Sequence, residues 1–257
     1  MRIMSKGRKR RWINNGYING IQTDTLSSWK YFHDFIQEEI DISNYVFRGQ
    51  SDEDWKLEPS LNRILKNSSR QEYEYEFKRH LDNFRFSIRG RGDFIKEIAN
   101  NEDELWAIGQ HNSLYTPLLD FTFSPYVATY FAFHEKYSKS EYRIVFALNT
   151  DHAVNEISGY VDLFKPMTGH NQRLLSQAGL FVKFNTQNDL EKTITEYVQK
   201  VVQEKLYIKL RKIRIPNSDR DECLQALNKM NINHNSLFPD LFGASIFSNT
   251  KLDIKNY

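Results

Sequence analysis

A chain of 257 residues, 40% of them hydrophobic and 14% aromatic, is long enough to bury one sizeable core. Its single cysteine, Cys223, excludes an internal disulfide framework and a cysteine-rich zinc site, and no apolar run reaches bilayer length, so a soluble, cytoplasmic protein is expected. The net charge of +2 is concentrated at the start: residues 1–12 hold six basic side chains and no acid, and subtracting those six leaves −4 on the rest. Such an arm can attract phosphate backbones or act as a disordered, solubilising tail. Residues 1–25 are read as this basic arm and residues 26–257 as a single domain, since no repeat or polar low-complexity linker interrupts them.

The first periodic segment, residues 26–40, places Trp29, Phe32, His33, Phe35, Ile36 and Ile40 near helical spacing, with Ser27 or Ser28 as the cap. Tyr45-Val46-Phe47 is a short β-type run ending in Arg48-Gly49-Gln50, where Gly49 suits a sharp turn of the backbone. A guanidinium at a strand end can bind phosphate or carboxylate bidentately, or simply pair with Asp52 or Glu58. A short helix after Pro59 and a longer one over residues 69–86 follow, the latter burying Tyr73, Phe77, Leu81 and Phe84; Arg85, Arg89 and Arg91 could form a basic patch at its end. Residues 102–110 read as a helix that delivers Gln110-His111 to the most apolar part of the chain.

That part, residues 108–134, combines a short apolar strand, Leu118-Leu119, with a helix capped by Ser124 and started by Pro125. Asp120 lies between the two, flanked by Leu119 and Phe121, and is either a cap or a site residue, because a carboxylate among apolar neighbours needs a partner. Residues 142–148 form a strong central strand, residues 171–184 a helical turn into Gly179 and a strand, and residues 206–214 a strand with one polar face. A helix beginning at Pro216-Asn217-Ser218 and a short one over residues 236–241 close the chain. Strands alternating with helices, without an even βαβ rhythm, indicate an α+β fold.

Several ordered motifs together resemble the FRG-domain family: Phe47-Arg48-Gly49-Gln50 with Trp55, Pro59-Ser60-Leu61 and Arg63; Gly109-Gln110-His111; Leu118-Leu119-Asp120-Phe121-Thr122; and Ser124-Pro125 with Ala128, Tyr130, Phe131 and Ala132. Arg173, Gln177-Ala178-Gly179-Leu180-Phe181 and Phe238-Pro239-Asp240-Leu241 extend the resemblance over residues 26–246. Asn112-Ser113 and Tyr115 depart from it, where that family commonly has a His or Tyr and a Gly followed by Pro.

The resemblance implies a bacterial, phage-associated protein of a toxin-like or antiviral setting, distantly similar to ADP-ribosyltransferases that modify nucleic acids. It therefore implies a split, mixed sheet flanked by helices, NAD as substrate, a nucleic-acid acceptor with RNA foremost, and an antitoxin partner. On this pattern Arg48 and Gly49 resemble the early strand that meets NAD, and Ser124 to Ala132 the pocket wall, with Tyr130, Tyr126 or Phe131 as the stacking ring. Arg173 belongs to the late element, where a catalytic carboxylate is usual but Gln177-Ala178-Gly179 stands here. Asp120 is then the substitute acid, Gln177 the residue that orients the acceptor, and His111 a further candidate catalytic group. A non-catalytic nucleotide or nucleic-acid binding module is the alternative. A metal-dependent nuclease has only Asp120 to start from, and no metal is expected.

Overall fold

The computed structural model describes residues 10–92, 98, 100–167, 172–201 and 207–257. The strands are β1 (Trp12–Ile18), β2 (Ile21–Leu26), β3 (Tyr45–Gln50), β4 (Leu118–Thr122), β5 (Tyr142–Asn149), β6 (Val161–Phe164), β7 (Gly179–Phe184) and β8 (Leu210–Pro216). The α-helices among the described residues are α1 (Phe32–Glu39), α2 (Ser60–Leu65), α3 (Arg70–Ser87), α4 (Glu102–His111), α5 (Pro125–Phe133), α6 (Gln172–Ser176), α7 (Leu190–Lys200), α8 (Arg220–Lys229), α9 (His234–Leu237) and α10 (Leu241–Asp253). The strands join into one eight-stranded sheet in the order β1-β2-β8-β5-β3-β4-β7-β6. The pair β2/β8 is parallel and the other pairs are antiparallel, so the fold is α+β with a mixed sheet flanked by helices.

Strand alternation sorts the side chains onto two faces. Phe47, Val145, Ala147, Ile213 and Ile215 pack beneath α1, α5 and α8, while Val46, Ile144, Phe146, Leu148, Leu180 and Val182 meet α7 through Leu190 and Ile194. Each fully buried Phe of these strands stabilises the fold by about 2 kcal/mol. A third cluster joins Leu118 and Phe181 to Leu61, Leu81, Leu105 and Trp106 of α2, α3 and α4. Two helical groups therefore cover the sheet on either side of the β3/β4 junction.

At that junction the sheet comes apart. β3 stays in register with β5 along its whole length, but it meets β4 at the single pair Phe47 and Thr122. Beyond this pair the strands diverge, and their facing edges become the walls of a gap.

The arm expected over residues 1–25 needs correction. Residues 1–9 lie outside the described residues, but Trp12 to Leu26 builds the β1/β2 hairpin at the edge of the sheet. Its turn is Asn19-Gly20, both at positive φ (48° and 88°), the pattern of a tight two-residue hairpin. Arg11, counted with the arm, is held by Asp34 and Glu38 of α1 and lies over Trp12. The strand expected over residues 206–214 is shifted, running Leu210–Pro216, and α7 has no counterpart in the sequence reading. No described helix is long and apolar enough to cross a membrane.

Candidate functional site

The gap between β3 and β4 opens into a cleft of about 860 Å³. Arg48, Gly49 and Gln50 line it from β3, Asp120, Phe121 and Thr122 from β4, and Gln110 and His111 from the end of α4. Ala128, Phe131 and His134 come from α5 and its end, and Arg173, Leu174 and Gln177 from α6 and the turn after it.

Arg48 spans the gap. Its Nη1 donates to the main-chain oxygen of Asp120 at 2.7 Å and stands 3.8 Å from that residue's Oδ2. Its Nε is buried without a hydrogen-bond partner. Burial lowers the guanidinium's basicity, Asp120 offsets part of that, and nearby Arg63 adds to it. An arginine side chain keeps its proton in proteins, so Arg48 is a cation with unspent donors in an open cleft.

Asp120 is neither a cap nor buried. It sits in the middle of β4 with its side chain 59% exposed, because alternation places it on the same face as Thr122, beside the opening. Gln110 fixes the carboxylate: its Nε2 donates to Oδ2 at 3.0 Å, while its own Oε1 accepts from the Thr116 hydroxyl. Thr116 is fully buried and anchors the chain of contacts.

Gly49 is required for a reason other than a sharp turn. It is an extended strand residue, and a Cβ there would stand 1.8 Å from the main-chain oxygen of Ala128 and 2.6 Å from the nitrogen of Ala132. Helix α5 thus lies directly on the β3 backbone, which only glycine permits. The helix itself forms as its sequence dictates: the Ser124 hydroxyl accepts from the Val127 nitrogen and Pro125 occupies the first turn.

Two of the expected ligand-facing residues do not line the cleft. Ser124 is consumed as the α5 cap. Tyr130 is buried in the core with its hydroxyl on His234 Nδ1 at 2.8 Å, since the face of α5 it occupies packs against α9 and not toward the gap. Tyr126 likewise is bound, to His33. Of the three candidate rings Phe131 alone lines the cleft, joined there by Phe238 at 6.1 Å, edge to face.

Arg173 lines the cleft but is committed to Asp240 through Nε at 3.0 Å and through Nη2, and it lies over the Phe238 ring. Asp240 also caps α10, and that cap together with Arg173 holds its carboxyl below the usual range. Gln177 donates to the Leu237 main-chain oxygen at 3.1 Å, while its own main-chain oxygen accepts from Thr122. His111 is exposed at the cleft; partial burial and the charge of Arg173 lower its pKa, and Asp240 opposes them. His134 is lowered by burial, partly offset by Glu135. Gly179 is outside the lining, and a side chain there would meet Leu174 Cδ1 at 2.7 Å.

Around Arg48 and Asp120, Arg63 is near enough to affect Arg48, and Arg173, which lies over Phe238, is near enough to affect His111; Trp55 and Phe131 line the same cleft. The sequence reading assigns no role to Trp55, Arg63, His134 or Phe238. Trp55 and Arg63 flank the Pro59-Ser60-Leu61 motif, which was their available signal. Among the described residues, no group of three or more His, Cys, Asp or Glu side chains converges to hold a metal ion.

Residues 43–141 match the family model of the FRG domain. The matched segment supplies β3, β4, α5 and the Arg48, Gln110 and Asp120 side chains, while Arg173, Gln177 and Phe238 lie beyond it. Neither the curated proteins nor the solved structures contain a match to the chain.

Proposed function

We propose that the cleft binds NAD and transfers its ADP-ribose to a nucleic acid, RNA foremost, and that the protein is a toxin-like effector of a bacterial antiphage or toxin–antitoxin system. The observation that carries this reading is the parting of β3 from β4, which sets the Arg48 guanidinium and the Asp120 carboxylate across one open gap. Arg48 would hold the diphosphate through its free donors, and Phe131 or Phe238 would stack on the nicotinamide. As nicotinamide leaves, positive charge develops on the ribose; Asp120, held by Gln110, is placed to stabilise it. Gln177 and His111 line the same cleft and would orient the acceptor.

A second reading, a binding module without turnover, has its own observation. The late strand begins at Gly179, and its neighbour Leu174 leaves no room for a carboxylate at that position without rearrangement. An antitoxin that covers the cleft is a further element of the first reading, and it is tested by copurification of a stoichiometric small protein from the native operon.

Incubation of the purified chain with adenine-labelled NAD and, separately, total RNA, DNA or cell protein distinguishes the two. Transfer of label to one pool, lost in Arg48→Ala and Asp120→Asn, is the expected result. A folded chain that binds NAD or nucleic acid but releases no nicotinamide and transfers no label would establish the binding module.

A further inference from the structure

The cleft that Arg63 lines also carries an indole that the core does not use. Trp55 lines the cleft and is 55% exposed, whereas the other three of the chain's four tryptophans are packed against rings. Trp12 meets Phe35 edge-on, Trp29 stacks on Phe32 at 5.2 Å, and Trp106 abuts Phe77. Among the described residues no ring stacks on Trp55. Asp54, Lys56, Glu58 and Arg63, which line the cleft with it, are polar, so it is a single planar face and not part of an apolar protein-docking patch.

Arg63, which lines the same cleft, is oriented but not saturated. Its Nη1 donates to the Glu58 main-chain oxygen at 2.8 Å, and its remaining N–H groups meet no acceptor among the described residues. Lys56 is already engaged by Asp189 at 3.0 Å, whereas Arg63 has no ion-pair partner among the described residues. Arg48 and Arg63 are tethered separately, one through the Asp120 main chain and the other through that of Glu58, so the cleft can hold two anionic groups at once.

We infer that Trp55 and Arg63 form a subsite for an unpaired nucleotide of a single-stranded nucleic acid, the base stacking on the indole and its phosphate on the guanidinium. This rests on the transferase reading only in naming that strand as the acceptor; the binding itself needs no NAD. An indole stacks on any base, which gives affinity without sequence preference, and a duplex would not present an unstacked base to it. The acceptor then enters the cleft through this subsite, and Phe131 and Phe238 are left for the nicotinamide.

The test is a fluorescence titration of the intact chain with a short single-stranded oligouridylate, in the absence of NAD. Trp55 is the most exposed indole, so binding should quench emission, and Trp55→Phe should abolish the quenching while retaining binding by anisotropy of a labelled oligonucleotide. Trp55→Ala should weaken binding between roughly 5- and 150-fold. Arg63→Ala should reduce the slope of log affinity against log salt by about 0.7. Unaltered binding in Trp55→Ala, or quenching by NAD but not by the oligonucleotide, overturns the inference. If Trp55→Ala still transfers ADP-ribose to nucleic acid like the unaltered chain, this subsite alone fails; if the oligonucleotide binds as described but no transfer occurs, the transferase reading alone fails.

Discussion

Arg211 and Asp24 face each other across β8 and β2; Arg48 and Asp120 face each other across β3 and β4. The first pair is in contact at 2.9 Å with side chains only 9% and 4% exposed, and Gln22 and Glu39 crowd it further. The second stands 3.8 Å apart and is 23% and 59% exposed. Both pairs have the same chemistry, so the strand geometry makes the difference. β2 and β8 run in register from Ile21 to Thr25 and close their pair, whereas β3 and β4 share one register position and hold theirs open. A closed pair spends its charge on the partner, and an open one keeps it for a ligand.

Removing one member of each pair should therefore have unequal consequences. Asp24→Ala leaves buried Arg211 with only Glu39, at 3.8 Å, opposite its charge and should cost up to about 3–5 kcal/mol, read from urea unfolding. A loss below about 1 kcal/mol would mean that water reaches Arg211 and that the pair is not closed in the sense drawn here.

The same contrast separates two histidines. His234 is buried against Tyr130, His134 and Phe238, and burial, with the neighbouring His134, lowers its pKa to about 4; His111 is exposed in the cleft. Because the folded value lies below the unfolded one, near 6.5, the unfolded chain takes up the proton first. The stability His234 confers is present above pH 6.5 and lost as pH falls toward 4, on the order of 3 kcal/mol in all. His134, lowered by burial too, adds in the same direction. Urea unfolding at pH 7 and pH 4.5 should show this loss, and His234→Gln should diminish it; an unchanged pH dependence in the variant would place His234 among the open groups.

Gly49→Ala tests what keeps the gap in shape. The added Cβ meets main-chain atoms of α5 that no rotamer change can move, so the helix must shift, at a cost of about 1–3 kcal/mol by thermal or urea unfolding. Wild-type stability would show that α5 rides on β3 less tightly than the packing implies. The smallest change in stability belongs to Asp120→Asn, within about 0.5 kcal/mol, since its carboxylate is exposed and Gln110 can rotate to meet an amide. Loss of several kcal/mol there would make Arg48 and Asp120 a structural pair like Arg211 and Asp24.

The sequence by itself determined what short-range chemistry can determine. The α5 start at Ser124-Pro125, the α3 helix, the β5 strand and the turn into β7 all depend on residues close to each other along the chain, and all stand where the sequence placed them. The Asn19-Gly20 hairpin was equally local and equally legible, but the basic residues ahead of it drew residues 12–25 into an arm. Placement of Arg48, Asp120, His111, Arg173 and Gln177 in one cleft agrees with motifs that the sequence presented in order, although order along a chain does not fix convergence.

Only the tertiary structure decided which side of each element faces the gap. Tyr130 and Phe131 are neighbours on one helix, and packing against α9 buries the first while turning the second to the cleft. Gly49 reads as a turn in sequence and is in fact the contact that seats α5 on β3, information held by Ala128 and Ala132, about eighty residues later. The opening itself is a property of register between β3 and β4, strands separated by more than sixty residues, and hydrophobic pattern within either strand is the same whether its partner follows it for one position or for six.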